Sequence, residues 1–216
     1  MENVLCFSRF LLEDIYGYFD GISFDNKYLH LITTEENYIF VSRKQAERDP
    51  HYKQVIPYCI FVDEDGLIFN YERGQKGGEG RLRGRSSIGV GGHINDEDFS
   101  TSINLSQSKY NSALYREVAE EFGLNLYSGI ESDLKNTCMQ SQPTAFINEE
   151  LTEVGKVHFG VVHVLPIKQS DIISLEADIV INGSFNSYED LMKDIEIFEN
   201  WSQICLKDWQ SLIGES

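Results

Sequence analysis

Nine residues near the middle of the chain decide its interpretation: Arg116-Glu117-Val118-Ala119-Glu120-Glu121-Phe122-Gly123-Leu124. On a helix, Glu117, Glu120 and Glu121 stand at positions i, i+3 and i+4 and therefore share one face. Like charges at this spacing destabilise an isolated helix by a few tenths of a kcal/mol per pair. Clustered carboxylates are also the ligands that Mg²⁺ or Mn²⁺ prefers, so a divalent cation would remove the repulsion. Most acidic helix faces are only solvated, so the metal site depends on a second signal.

That second signal is the stretch Gly89-Val90-Gly91-Gly92-His93-Ile94, which predicts a strand end followed by backbone without side chains to block a ligand. Together the two stretches resemble the Nudix box, G-x5-E-x7-R-E-U-x-E-E-x-G-U, in which U is an aliphatic residue. The second half matches at all of its fixed positions, which are Arg116, Glu117, Val118, Glu120, Glu121, Gly123 and Leu124.

The first half of the box departs from this pattern. Counting forward from Gly92 places Asp98 where the box has Glu, and seventeen residues instead of seven then precede Arg116. Counting backward from Arg116 places Ser108 there, and that carboxylate would be lost. We favour the forward count, with ten residues inserted within 99–110, because loops tolerate insertion at little cost. Residues 54–58 and the glycine run further resemble a bacterial Nudix branch of predicted phosphoesterases.

The resemblance implies an α/β fold of the Nudix type, an α/β/α sandwich with a mixed sheet, plus an N-terminal β-rich extension. We expect residues 1–54 to form this extension, packed on or near a Nudix-like hydrolase domain at residues 55–216. The implied activity is metal-dependent hydrolysis of a diphosphate linkage in a nucleoside-diphosphate-type substrate by metal-activated water. The implied cofactor is Mg²⁺ or Mn²⁺, with Glu117, Glu120, Glu121 and an oxygen near Gly92 as ligands.

The same resemblance assigns the remaining catalytic roles. Arg116 is expected to pair with Glu120 at i,i+4 and to fix its rotamer. Asp98 is expected to orient a ligand or a water molecule. The catalytic residues implied are therefore Glu120, Glu121, Arg116 and Asp98. The general base stays open between a glutamate of the box and a later carboxylate, for which the candidates are Glu149, Glu150 and Glu153.

A basic segment precedes the glycine run. Five of the eighteen basic residues of the chain fall within thirteen positions, at Arg73, Lys76, Arg81, Arg83 and Arg85. A charge run is normally a solvated loop. Beside a metal site, however, arginines suit the oxygens of a polyphosphate. We therefore predict substrate contacts from Arg73, Arg81, Arg83, Arg85 and His93.

The formal net charge of −17 disfavours nucleic acid and an anionic membrane surface as partners. The expected partner is a small nucleotide-type molecule, and an oligomer is compatible with the sequence. Four scattered cysteines favour reduced thiols in a cytoplasmic protein. No apolar run approaches the roughly twenty residues of a membrane span.

The local patterns predict several elements. Strands are expected at Tyr38–Ser42 and 157–165, a hairpin at 58–62 and 67–71, and helices at 188–200 and 201–212. Two other functions remain open. One is a non-catalytic Nudix-fold module for nucleotide binding or regulation, which the altered first half of the box favours. The other is an isomerase or a structural protein that carries the acidic helix by chance.

Overall fold

A mixed β-sheet forms the centre of the protein. The computed structural model describes residues 2–74, 84–99, 107–121, 131–169 and 180–214, and these contribute ten strands to one sheet. The strands are β1 (Asn3–Ser8), β2 (Gly21–Ser23), β3 (Tyr38–Ser42), β4 (Tyr52–Val62), β5 (Ile68–Arg73), β6 (Ser86–Ser87), β7 (Gly89–Val90), β8 (Ala145–Asn148), β9 (His158–Pro166) and β10 (Val180–Asn186).

The main path through the sheet runs in the order β10-β5-β4-β9-β8-β2. Its central pair, β4 and β9, is parallel, with Gln54 opposite His158 at one end and Val62 opposite Pro166 at the other. The other pairs on this path are antiparallel. The short strands β6 and β7 lie beside β5 and β4, which brings the glycine run to the middle of the sheet.

Helices cover both faces of the sheet. They are α1 (Lys27–Thr33), α2 (Arg43–Ala46), α3 (Gln107–Glu121), α4 (Glu131–Gln140), α5 (Tyr188–Lys193), α6 (Asn200–Lys207) and α7 (Trp209–Leu212). Alternate side chains of β4 point to opposite faces. Accordingly, Val55 and Phe61 join the apolar cluster under α1, α3 and α4, whereas Ile56 and Ile60 join the cluster under α5, α6 and α7. The predicted α/β sandwich with a mixed sheet is confirmed.

The N-terminal region extends this sheet. Strand β3 occupies Tyr38–Ser42, as predicted, and pairs with β1. Strand β1 in turn pairs with the beginning of β4, where Cys6 lies opposite Gln54. The division of the chain at residue 54 stays a prediction.

The predicted hairpin is confirmed in β4 and β5. Asp63 N–H donates to the carbonyl of Leu67 at 3.0 Å, and Gly66 takes a φ of 78° that suits glycine in the turn. The predicted strand at 157–165 is also present, as β9.

The two predicted C-terminal helices were wrong in their boundaries. Ser187 caps a helix as expected by accepting the N–H of Asp190, but α5 already ends at Lys193. The chain then passes an extended Phe198, and Glu199 caps α6 by accepting the N–H groups of Trp201 and Ser202. The backbone N–H of Glu199 donates to the carbonyl of Ser86 at 2.8 Å, so a contact with the sheet interrupts the helix. The second predicted helix is divided at Asp208 into α6 and α7.

In the part of the chain that the structure describes, none of the helices has both the length and the apolar character needed to cross a membrane.

Candidate active site

Helix α3 carries the acidic residues of the box into a cleft. One side of the helix is buried in the core through Tyr110, Ala113, Leu114 and Val118. Glu117, Glu120 and Glu121 lie on the part of the helix that lines the cleft, which has a volume of about 680 Å³. The spacing of these carboxylates is therefore sufficient to bring them together. Phe122, Gly123 and Leu124, which complete the box, lie outside the described residues.

Arg116 connects the two halves of the box. Its Nε and Nη2 donate to the two oxygens of Asp98 at 2.7 and 2.8 Å. Its Nη1 donates to Glu117 at 2.7 Å and to Glu120 at 3.2 Å, so the predicted i,i+4 pair is present. Its Nη2 also donates to the carbonyl of His93 at 3.1 Å. One side chain thus positions α3, the 3₁₀ turn Asp96–Phe99 and the glycine run.

Asp98, which the forward count aligns with the first Glu of the box, lies beside Arg116 and pairs with it. Its carboxylate is further fixed by the N–H of Asn95, which donates to Oδ2 at 2.8 Å. Residues 100–106 and the side chain of Ser108 are outside the described part of the chain, so the inserted segment stays a prediction.

Glu117 lies against the backbone of Gly92. A Cβ atom at Gly92 would be 2.0 Å from Oε2 of Glu117, so any larger residue would displace this carboxylate. Gly91 is required for a different reason, since a Cβ there would be 1.8 Å from the carbonyl oxygen of Pro57. Burial raises the pKa of Glu117 to about 7, although the charge of Arg116 acts in the opposite direction.

Two of the four predicted arginines line the same cleft. Arg73 ends β5, and its backbone N–H donates to the carbonyl of Arg85 at 3.0 Å, so the two residues are neighbours. The Nε atom of Arg73 is buried and has no hydrogen-bond partner among the described residues. Arg85 is exposed, and its Nη1 donates to the carbonyl of Glu196 at 2.9 Å. Arg81 and Arg83 lie outside the described residues.

His93 also lines the cleft, directly after the glycines. Its Nε2 is 2.9 Å from Oε1 of Gln54 and 3.3 Å from Nε2 of His158. Burial lowers the pKa of His93 well below its usual value, and the nearby charge of Arg43 acts in the same direction. His93 is therefore a neutral side chain held by two polar neighbours.

The later carboxylates that were candidates for the general base occupy different places. Glu149 lines the cleft and is buried, and it accepts the N–H and the hydroxyl of Thr152 at 2.6 and 2.7 Å. Glu153 also lines the cleft and is exposed. Glu150 instead pairs with the buried Lys53 at 2.7 Å and with Arg9 at 3.0 Å.

No protein-family model matches the chain. Protein YmaB of Bacillus subtilis (strain 168) is 33% identical over 175 residues, which make up 78% of this chain and 77% of YmaB. The chain belongs to the YmaB family.

Solved structures place this YmaB-family chain in the Nudix fold. Tm1382, described as a candidate Nudix hydrolase, is 26% identical with a TM-score of 0.73, over 98% of this chain and 100% of its own. DR0079 from Deinococcus radiodurans is 14% identical with a TM-score of 0.52, over 79% and 90% of the two chains, and shows the fold alone. The likeness to Tm1382 supports a hydrolase of the Nudix kind.

The residues on α3 of this YmaB-family chain fit a hard divalent cation. Glu117, Glu120 and Glu121 offer carboxylate oxygens in one cleft, which is the ligand chemistry of Mg²⁺ and Mn²⁺. The raised pKa of Glu117 shows that Arg116 alone does not offset the burial of this carboxylate. A divalent cation would supply the missing positive charge.

Sequence reasoning missed a buried polar group on the other wall of the cleft. The hydroxyl of Tyr58 donates to Oε1 of Glu199 at 2.6 Å and lies 2.8 Å from the hydroxyl of Ser202. The ring of Tyr58 fits only because Gly89 has no side chain, since a Cβ there would be 2.0 Å from the ring. No local pattern links Tyr58 to Glu199, which is 141 positions away, and the sequence shows only that Glu199 and Ser202 are polar residues close to Trp201.

Proposed function

We propose that this chain hydrolyses a diphosphate linkage in a nucleoside-diphosphate-type substrate, with Mg²⁺ or Mn²⁺ held by Glu117, Glu120 and Glu121. The observation that carries the proposal is the division of charge within one cleft. The acidic face of α3 and the arginines Arg73 and Arg85 line the same volume. A polyphosphate and a divalent cation are together complementary to these two sets of charges.

The arginines are proposed to bind the phosphate groups. Among the described residues the buried Nε of Arg73 has no acceptor, so its N–H can donate to a phosphate oxygen without breaking a bond within that part of the chain. Guanidinium groups remain charged and offer donors in a fixed plane, which suits phosphate geometry. Arg85 can add a second donor because, within the described residues, its guanidinium donates from Nη1 alone, to the carbonyl of Glu196. His93 is proposed to contact the substrate beside Gly92.

The carboxylates of α3 are proposed to hold the metal ion and to take part in the proton transfer. When bound, the cation supplies charge neutralisation at the phosphate groups and lowers the pKa of water in the site. Glu120 has a side chain that is 59% exposed, so its carboxylate can reach a water molecule and accept its proton. Arg116 limits the freedom of Glu120, and Asp98 fixes Arg116 in turn.

The protein is further proposed to work in the cytoplasm. All four cysteines are free and buried, at Cys6, Cys59, Cys138 and Cys205. Thiols of this kind are usual in a reducing compartment, where disulfides are rare.

The test is a panel of nucleoside diphosphate derivatives, assayed for product with Mg²⁺, with Mn²⁺ and with EDTA. We expect hydrolysis of at least one member of the panel, lost in EDTA and restored by excess cation. Full activity in EDTA would exclude the proposed role of the metal. Binding of nucleotides without any turnover would instead favour the non-catalytic binding module.

A further inference from the structure

A second group of metal-ligating side chains lies beside the acidic residues of α3. It consists of Glu47, His93 and His158, whose nearest ligand atoms all lie within 4.8 Å of one another. Three separate parts of the chain supply them, since Glu47 follows α2, His93 follows the glycine run and His158 begins β9. Neither the acidic helix nor the basic segment contributes to this group.

The distance between the two imidazoles is that of two ligands on one ion. The Nε2 atoms of His93 and His158 are 3.3 Å apart. Two nitrogens at about 2.0–2.1 Å from a tetrahedral Zn²⁺ are about 3.3 Å apart. Oε1 of Glu47 lies 3.9 Å from the first nitrogen and 4.0 Å from the second, so it is placed symmetrically between them.

The position of the proton on His158 leaves Nε2 as the unprotonated ring nitrogen. Its Nδ1 is 2.8 Å from the carbonyl oxygen of Val154, and because a carbonyl only accepts, Nδ1 carries the proton. The Nε2 lone pair of the neutral ring therefore points toward His93 and Glu47. A backbone carbonyl that fixes the second ring nitrogen is the usual arrangement of a metal-binding histidine.

Arg43, which lies near Glu47, has a second carboxylate partner. Arg43 lies 3.8 Å from Glu47 but makes its shorter contacts with Glu2, at 3.0 and 3.2 Å. If Glu47 moves away from Arg43, the arginine therefore keeps Glu2 as its charge partner. Gln54 offers a further oxygen, 2.9 Å from Nε2 of His93.

We propose that Glu47, His93 and His158 form a binding site for Zn²⁺ or a similar transition-metal ion, separate from the carboxylates of α3. Imidazole nitrogens favour such ions, whereas Mg²⁺ prefers oxygen ligands alone. Without a metal, a single proton on Nε2 of His93 satisfies its contacts with Gln54 and His158, and the cation takes the place of that proton. The site shares His93 with the proposed substrate contacts, but metal binding there does not require hydrolysis, so the site goes beyond the proposed hydrolase function.

The proposal is tested by equilibrium dialysis of the full chain against Zn²⁺ in a large excess of Mg²⁺, which occupies oxygen-only sites. We expect one Zn²⁺ per chain that Mg²⁺ does not displace. Glu47→Gln and His158→Asn should weaken this binding by about 10²-fold or more, since even the outer partners of a ligand are worth 10–100-fold.

Two matched controls separate the site from general charge effects. Glu2→Gln removes a carboxylate that pairs with the same Arg43, and His51→Asn removes an exposed histidine. Both variants should bind Zn²⁺ like the parent chain. Equal weakening in Glu2→Gln and Glu47→Gln, or no Zn²⁺ bound by the parent, would overturn the proposal.

A spectroscopic measurement needs no variant and so does not depend on the folding of one. Co²⁺ added to the parent chain in excess Mg²⁺ should give the intense visible bands of a four-coordinate site, and Zn²⁺ should remove them. A weak six-coordinate spectrum would overturn the proposal. Both measurements record metal binding, so their outcome does not depend on whether the chain has hydrolytic activity.

Discussion

Arg116 holds both carboxylate oxygens of Asp98, with Nε–Oδ1 at 2.7 Å and Nη2–Oδ2 at 2.8 Å. This two-point contact joins the turn after the glycine run to the helix that carries the acidic residues. The side chain of Asp98 is only 8% exposed and that of Arg116 is 26% exposed, so the pair is largely shielded from water. Paired donors of this kind fix orientation as well as position, which a single contact does not.

Replacement of Arg116 by lysine should destabilise the protein. Lysine keeps the charge but cannot make two parallel hydrogen bonds, so we expect a loss of about 2 kcal/mol in the free energy of unfolding. Arg9→Lys is the matched control, because Arg9 is also 26% exposed but contacts Glu13 and Glu150 separately. That change should cost less than about 1 kcal/mol. Denaturant unfolding of both variants measures the difference, and equal losses would contradict the argument.

Alanine at the two adjacent glycines should have different effects. At Gly92 the new Cβ would meet the end of the Glu117 side chain, which can move, so hydrolysis should fall while the fold is retained. At Gly91 it would meet the carbonyl of Pro57, which is fixed in β4, so stability should fall. Thermal unfolding and hydrolysis rates of both variants test this contrast. A stable, fully active Gly92→Ala chain would show that the position of Glu117 is unimportant.

Removal of one charge from the acidic face should affect catalysis much more than folding. Glu120→Gln is expected to lower turnover by at least ~10²-fold, which is the usual scale when charge stabilisation is removed. Its side chain is 59% exposed, so the free energy of unfolding should change by less than about 0.5 kcal/mol. Glu97→Gln, at an exposed site next to Asp98, is the control and should retain full activity. The test is to measure the turnover of both variants at saturating substrate and Mg²⁺.

Neutralisation of Arg73 should raise KM with little change in kcat, because contacts to non-reacting phosphates act equally in the ground state and the transition state. Arg85→Gln should have a smaller effect, since Arg85 is exposed and already donates to Glu196. Arg48→Gln removes the same charge at an exposed position away from the cleft and serves as the control. The rise in KM should shrink at high salt, where charges are screened. A KM equal to that of the Arg48 control would mean that Arg73 does not bind substrate.

The stability of the protein should depend on pH through His163. This ring is fully buried between the hydroxyls of Tyr110 and Ser141, and burial lowers its pKa to about 3. The unfolded chain binds a proton below pH 6.5 and the folded chain does not, so stability should fall as the pH falls from 6.5 toward 3. Between pH 6 and pH 5 the loss should be about 1 kcal/mol.

The comparison of the parent chain with His163→Gln isolates this contribution. Glu117 acts with the opposite sign, because its pKa is raised and its contribution is lost as the pH rises through about 7. That contribution is present in both chains and cancels in the difference. Between pH 6 and pH 5, the free energy of unfolding measured with urea should therefore fall more in the parent than in His163→Gln. An equal fall in the two chains would argue against a neutral His163.

The spacing of residues in the sequence was sufficient to predict contacts within one helix or one hairpin. Glu117, Glu120 and Glu121 share one face because they occupy positions i, i+3 and i+4 of one helix. The hairpin and β3 were predicted for the same reason, since their patterns lie within a few residues. The ion pair of Arg116 with Asp98 spans eighteen positions and was not predicted, although the box pattern selected both residues for the site.

Contacts between distant parts of the chain could not be predicted, because no pattern within a short stretch of sequence indicates them. Tyr58 and Glu199 are 141 positions apart, and His93 and His158 are 65 apart. The apolar residues around Phe198 continue a helical pattern, but the bond from Glu199 to the carbonyl of Ser86 interrupts the helix. Tertiary contacts of this kind override local propensity.

The parallel pairing of β4 with β9 has a consequence for synthesis of the chain. Gln54 and His158, which face each other at one end of the pair, are about 100 residues apart. At 5–20 residues per second, a ribosome needs on the order of 5–20 s to make the intervening segment. During that time β4, buried along nearly its whole length in the finished protein, has no partner on one edge. A nascent chain of this protein should therefore recruit chaperones between the emergence of β4 and that of β9.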